Sequence, residues 1–136
     1  MKKGVIVVFE KKDIDVLEKL PLKSFFNKHF KICLVNNGND NKILKLLFKL
    51  KESSKFDISI LNLRKEKASM AAVKAGVRFL SKTEDINLIV HTPPKNIFNK
   101  SLMKEMLKIS DDDLALKIDE RVLLRKVYAL EELINC

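Results

Sequence analysis

The chain has 136 residues, 46% of them hydrophobic and 33% charged, which suits one compact domain with a real core. Three Gly and three Pro are too few for a linker-rich or low-complexity protein, and no run of about 18 apolar residues exists to span a membrane. The net charge of +9 comes from Lys spread through every segment and from few Arg, a diffuse coat that argues against a base-reading nucleic-acid surface.

The basic start "MKKGVIVVFEKKD" has too short an apolar run, and no small-residue cleavage site follows, so a signal peptide is not expected. Cys33 and Cys136 lie far apart in unlike settings, with no metal-ligand spacing. A reducing, cytoplasmic location without a disulfide is the simplest expectation.

In chain order, residues 4–9 ("GVIVVF") form a continuous β-branched run that suits a strand covered on both faces. Residues 15–30 read as a helix carrying Val16, Leu17, Leu20, Phe25 and Phe26, interrupted at Pro21. Residues 31–35 ("KICLV") are a second buried strand, which stops at the corner Asn36, Asn37, Gly38 and Asn39. These residue types accept tight-turn angles. A helix follows, with Ile43, Leu46, Leu47 and Leu50 on one face and Asn39 or Asp40 as its cap, and ends at "SSK". Residues 57–63 ("DISILNL") alternate polar and apolar, as a third strand nearer an edge would.

After the charged loop "RKEK", Ser69 opens a helix with Met70, Val73, Val77 and Leu80 on one stripe. Residues 86–90 ("INLIV") are a fourth strand, closed by "HTPPK". Residues 101–109 and 111–135 read as two further helices. The second has an acidic start suited to its dipole and a stripe of Leu123, Val127, Leu130 and Ile134. Leu116, Ile118, Val122 and Leu124 lie off that stripe and offer a second apolar face to another copy, as a homodimer, or to a protein partner.

Strands and helices thus alternate over residues 1–95, with C-terminal helices over 96–136, in a single α/β domain. Each crossover lays a helix on a sheet face, so the expected fold is a three-layer, Rossmann-like sheet, mostly parallel. Ligands in such sheets bind at the carboxyl ends of the strands. Those ends are "FEKK", "NNGND", "LRKEK" and "HTPP". Glu10, His91 and Thr92 are therefore candidate pocket-lining residues. His91 titrates near neutrality but has no carboxylate beside it in sequence. Glu10 and Asp13 follow the first strand, where they serve either acidic chemistry or a charged loop. A phosphoacceptor role for Glu10, Thr92 and Lys95 fails because the third strand ends in Asn62, Leu63 and Arg64, with no Asp to phosphorylate. No glycine-rich phosphate loop is present.

Taken in order, the loops resemble the nucleotide-binding half of family 2 glycosyltransferases, which have the GT-A fold. "CLVNNGNDNKILKLLFKL" is similar to that family's strand ending in Val-Asp-Asp/Asn-Gly-Ser with its following helix. "DISILNLRKEKASMAAVKAGVRFL" is similar to the family's strand, loop and helix with an Ala-Arg-Asn-x-Gly ending, here Ala72, Val73, Lys74, Ala75 and Gly76. "VIVVFEKK" stands in the place of the opening strand and its Pro-x-Tyr-Asn loop. The resemblance covers residues 4–92.

It implies a nucleotide-sugar ligand and glycosyl transfer to an acceptor. Asn36 and Asn37 stand where the family holds the base with an acidic residue, and amides donate and accept toward a base edge. The resemblance likewise implies nucleotide contact at Gly38 and Asn39, and contact of Lys74 with a pyrophosphate as a point charge. At the end of the fourth strand the family has an Asp-x-Asp that holds Mn²⁺ or Mg²⁺ against the diphosphate; this chain has His91 and Thr92. A His and a Thr hydroxyl suit a hard divalent cation poorly, so no metal site is assigned. The resemblance does not extend to the family's acceptor-binding half. A non-catalytic binding or scaffolding domain on the same fold is the alternative.

Overall fold

The computed structural model of the chain describes residues 2–19, 30–53, 57–82, 86–95 and 127–129. Five strands, β1 (Lys2–Phe9), β2 (Phe30–Asn37), β3 (Asp57–Leu63), β4 (Ile86–Thr92) and β5 (Val127–Ala129), form one sheet in the order β3-β2-β1-β4-β5. Every pairing is parallel. Among the described residues three helices accompany them: α1 (Ile14–Glu18), α2 (Asn41–Ser53) and α3 (Ser69–Leu80).

β1 is the central strand, which explains its unbroken apolar run. Val5, Ile6, Val7 and Phe9 are all fully buried, because both faces of the strand are covered. The α3 face carries Ile6, Cys33, Val35 and Ile89, packed on Ala72 and Leu80. Alternation sends Val5, Val7, Phe9, Ile32 and Leu34 to the other face. There α2, with Ile43, Leu47 and Leu50 buried, packs on β2 and β3 and against α1. An ion pair between Lys42 and Glu18, 3.0 Å long, joins the two helices on their exposed side. The Glu18 carboxylate raises the pKa of the Lys42 ammonium through that hydrogen bond.

α3 comes unusually close to β1. At Gly76 an added Cβ would stand 3.0 Å from Ile6 Cγ2, so the bare backbone is what permits this approach. Asp40 caps α2, accepting from the Ile43 N–H at 3.0 Å. β3 occupies the sheet edge, as its alternating pattern leads one to expect.

Three readings of the sequence need correction. The first helix does not begin at residue 15: a 3-10 turn over Lys11–Asp13 runs into α1, and Phe30 already belongs to β2. Residues 20–29 lie outside the described residues. β2 does not stop at Val35 but continues through Asn36 and Asn37, in register with Asn62 and Leu63 of β3. Both amides find partners there, so the strand tolerates them. Finally, Val127–Ala129 is not helical but pairs with Ile89–His91 of β4. A short apolar run fits either period, and a waiting strand edge decides for the sheet. The helix at 101–109 and the rest of 111–135, including its acidic start and the second apolar face, lie outside the described residues. No helix among the described residues is long and apolar enough to cross a membrane.

Candidate ligand-binding cleft

The chain leaves β1 for β2 and β3 on one side, then returns to place β4 on the other. The strand order therefore reverses between β1 and β4. This is where open α/β sheets have a crevice. A cleft of about 500 Å³ lies at the carboxyl ends of these strands, within the usual range for a small-molecule site.

Three segments build it. The end of β1 and the turn after it supply Val8, Glu10, Lys12 and Asp13, with Val16 of α1 below. The first turns of α3 supply Ser69, Met70 and Val73. The end of β4 supplies His91, Thr92, Pro93, Pro94 and Lys95. His91 shares the α3 face of the sheet with its register partner Ile6, and is half-buried. Thr92, one residue on, points to the other face and is buried.

Glu10 is the most constrained polar group in the cleft. Its side chain is only 21% exposed. The Ser69 hydroxyl donates to its Oε1 at 3.2 Å, and Lys12 Nζ lies 3.8 Å from Oε2. The backbone around it is fixed too: the Glu10 N–H donates to Asp13 Oδ2, and the Asp13 N–H to the Glu10 carbonyl, both at 2.8 Å. Two acidic side chains thus occupy the start of the helix after β1, where a diphosphate would sit in a glycine-rich phosphate loop. The first turn of α3, in contrast, has no side-chain cap at Ala68.

No protein-family model matches the chain, and neither a curated protein nor a solved structure matches it.

Of the residues singled out in the sequence, Glu10, His91 and Thr92 come together in this cleft. The asparagine corner lies at the same edge of the sheet, at the tip of β2, but its side chains work within the fold. Asn36 is fully buried and donates through Nδ2 to the Asp40 carbonyl at 3.0 Å and to Asn62 Oδ1 at 2.8 Å. Its Oδ1 is buried without a hydrogen-bond partner among the described residues. Asn37 is engaged at both ends by the backbone of Lys67. Asn39 accepts from Asn62 Nδ2 at 2.6 Å. Gly38 adopts a φ of +110°, with its N–H donating to the Leu63 carbonyl at 3.2 Å and Glu66 packed over it. Lys74 is exposed on α3 and does not line the cleft.

Ser69, Met70 and Lys12 were not legible as site residues in the sequence. The signal that would have found them is topological: once β1 and β4 are neighbours, the first turn of α3 must overhang their ends. Among the described residues no three His, Cys, Asp or Glu side chains cluster as a metal ion requires.

Proposed function

We propose that the chain is a glycosyltransferase-like domain that binds a nucleotide-sugar along the carboxyl edge of its sheet, with the sugar in the cleft between β1 and β4. One observation carries this reading: at the switch point of the parallel sheet, a carboxylate, an imidazole and a hydroxyl come together in a cleft with apolar walls. Val8, Val16, Val73 and the two prolines suit the C–H faces of a sugar ring, and Glu10, Ser69 and His91 suit its hydroxyls. The sequence resemblance over residues 4–92 supplies the nucleotide. On this reading the nucleotide runs from the cleft toward the β2 corner.

A specific observation favours binding without turnover. Glu10 accepts from the Ser69 hydroxyl and Asp13 from the Glu10 N–H, so both carboxylates of the cleft already serve the fold. The Asn36 Nδ2 group and both ends of the Asn37 amide are likewise engaged inside the fold. On this second reading the domain holds the nucleotide-sugar and does not transfer it.

Titration of the isotope-labelled protein with UDP, GDP and UDP-sugars, with and without Mn²⁺, tests both. Amide shifts at residues 10–13, 69–73 and 91–95 that need the sugar support the proposal. Absence of shifts with every nucleotide would sink it. Release of UDP from a bound UDP-sugar on adding sugar acceptors separates transfer from simple binding.

A further inference from the structure

We infer that Glu10 is the specificity-determining residue of the cleft, accepting hydrogen bonds from two neighbouring hydroxyls of a sugar. The inference rests on the reading of the β1/β4 cleft as a ligand site and names the feature recognised there.

A carboxylate has two oxygens and about four acceptor directions. Glu10 is nearly four-fifths buried, and withdrawing a charge from water is costly unless partners replace the water. The partners present are the Asp13 N–H, which a capping box brings to the Glu10 side chain, one hydroxyl and one ammonium, and they leave part of those directions unused. One hydroxyl donates to Oε1 at 3.2 Å, a long bond for an O–H donor. Lys12 stands 3.8 Å from Oε2, beyond hydrogen-bond reach, and its own side chain is 78% exposed. The carboxylate thus keeps acceptor capacity on both oxygens at the wall of a cleft large enough for a hexose ring.

The group is also held in place. Its backbone N–H and carbonyl are fastened to Asp13, and Ser69 anchors the side chain from the opposite wall. A fixed, two-oxygen acceptor matches adjacent hydroxyls on one face of a sugar, each donating to one oxygen. Bonds to an ionised acceptor are the stronger kind, so loss of either hydroxyl should be felt. Lys12 remains near enough to balance the charge without blocking the oxygens.

The probes are UDP-glucose and its 2-deoxyglucose counterpart, followed by amide shifts at His91 and Thr92 and by calorimetry. The unaltered protein is expected to prefer UDP-glucose by roughly tenfold. Glu10→Gln keeps the shape but makes one of the two positions a donor, and should lose roughly tenfold in affinity for UDP-glucose and most of the preference. Ser69→Ala leaves the carboxylate but frees it, and should weaken UDP-glucose binding while retaining part of the preference. An unchanged amide spectrum outside the cleft checks that each variant folds. Equal affinity of Glu10→Gln and the unaltered protein for UDP-glucose, with shifts still at His91 and Thr92, would overturn the role of Glu10 and leave the cleft reading standing. No shift with either probe would overturn both.

Discussion

Asn37 and Lys67 form a closed pair: Asn37 Nδ2 donates to the Lys67 carbonyl at 2.8 Å, and the Lys67 N–H donates to Asn37 Oδ1 at 2.9 Å. The side-chain amide reproduces the two bonds of a backbone pairing, at the last residue of β2. Lys67 lies two residues before α3, so the pair fixes where that helix begins and hence where Ser69 and Met70 meet the cleft. Asn37→Ala removes both bonds. Because Lys67 is exposed, water re-solvates its backbone, and the expected loss is about 1–2 kcal/mol in urea unfolding. Asn37→Asp keeps the acceptor but sets a carboxylate oxygen against the Lys67 carbonyl, and is expected to lose at least as much. Amide shifts at Ser69 and Met70 in both variants would show that the entry of α3 has moved. Unchanged stability in both would mean that the pair does not hold the helix.

Gly76 tests the contact between α3 and the central strand. Alanine favours a helix by about 1 kcal/mol over glycine, so Gly76→Ala would stabilise an open helix. Here the new methyl would meet Ile6 Cγ2 at 3.0 Å and Cδ1 at 3.1 Å, and Ile6 is fully buried with no room to retreat. Overpacking of this kind costs about 1–3 kcal/mol, so the net effect should be a loss of about 1 kcal/mol. Trimming Ile6 to Val removes Cδ1, and the double variant should be destabilised by less than the sum of the two single ones. A stabilised Gly76→Ala protein would contradict the close approach.

The sequence displayed the strands whose surroundings are uniform and hid the features that depend on a neighbour. β1 and β3 could be read because one is the fully buried central strand and the other a partly exposed edge strand, and each environment leaves its own pattern over consecutive residues. Asn36 and Asn37 looked like a turn because nothing local shows that Asn62, Asp40 and Lys67 wait to satisfy them. Val127–Ala129 fitted a helical stripe because the partner that makes it a strand lies more than 35 residues earlier, at Ile89–His91. At the site, Glu10, His91 and Thr92 were legible as strand ends. Ser69 was not, since its place opposite Glu10, 59 positions away, follows only from the order of the strands.

The corner after β2 combines two unusual backbone angles, φ +110° at Gly38 and φ +56° at Asn39. Any side chain is strained at the first, so Gly38→Ala should cost about 1–2 kcal/mol although Glu66 Cβ, at 3.4 Å, leaves ordinary room. Asn39 separates backbone from side-chain effects. Asn39→Gly and Asn39→Ala both lose the bond from Asn62 Nδ2, but only alanine also resists the left-handed angle. The alanine variant should therefore be the less stable by about 1 kcal/mol in denaturant unfolding. Equal stabilities would mean that the corner relaxes to another conformation.

Cys33 gives a prediction in pH. It lies under α3, fully buried, and burial pushes its thiol from an ordinary 9.0 up to about 12. The folded chain therefore keeps this proton where the unfolded chain has lost it. Between pH 9 and about 12 the folded state binds more protons at this site, so stability falls as pH rises. The contribution is fully present below pH 9 and is lost as pH rises toward the folded value. Other groups titrate in the same range, so the slope of unfolding free energy against pH must be compared with that of Cys33→Ala, which lacks the proton. The unaltered protein should lose stability faster, with an excess approaching about 1.4 kcal/mol per pH unit. The same burial should keep the thiol from iodoacetamide at pH 8 in a Cys136→Ser background until urea unfolds the chain. Rapid labelling of the folded protein would place Cys33 within reach of solvent and refute the close packing of α3 on β2.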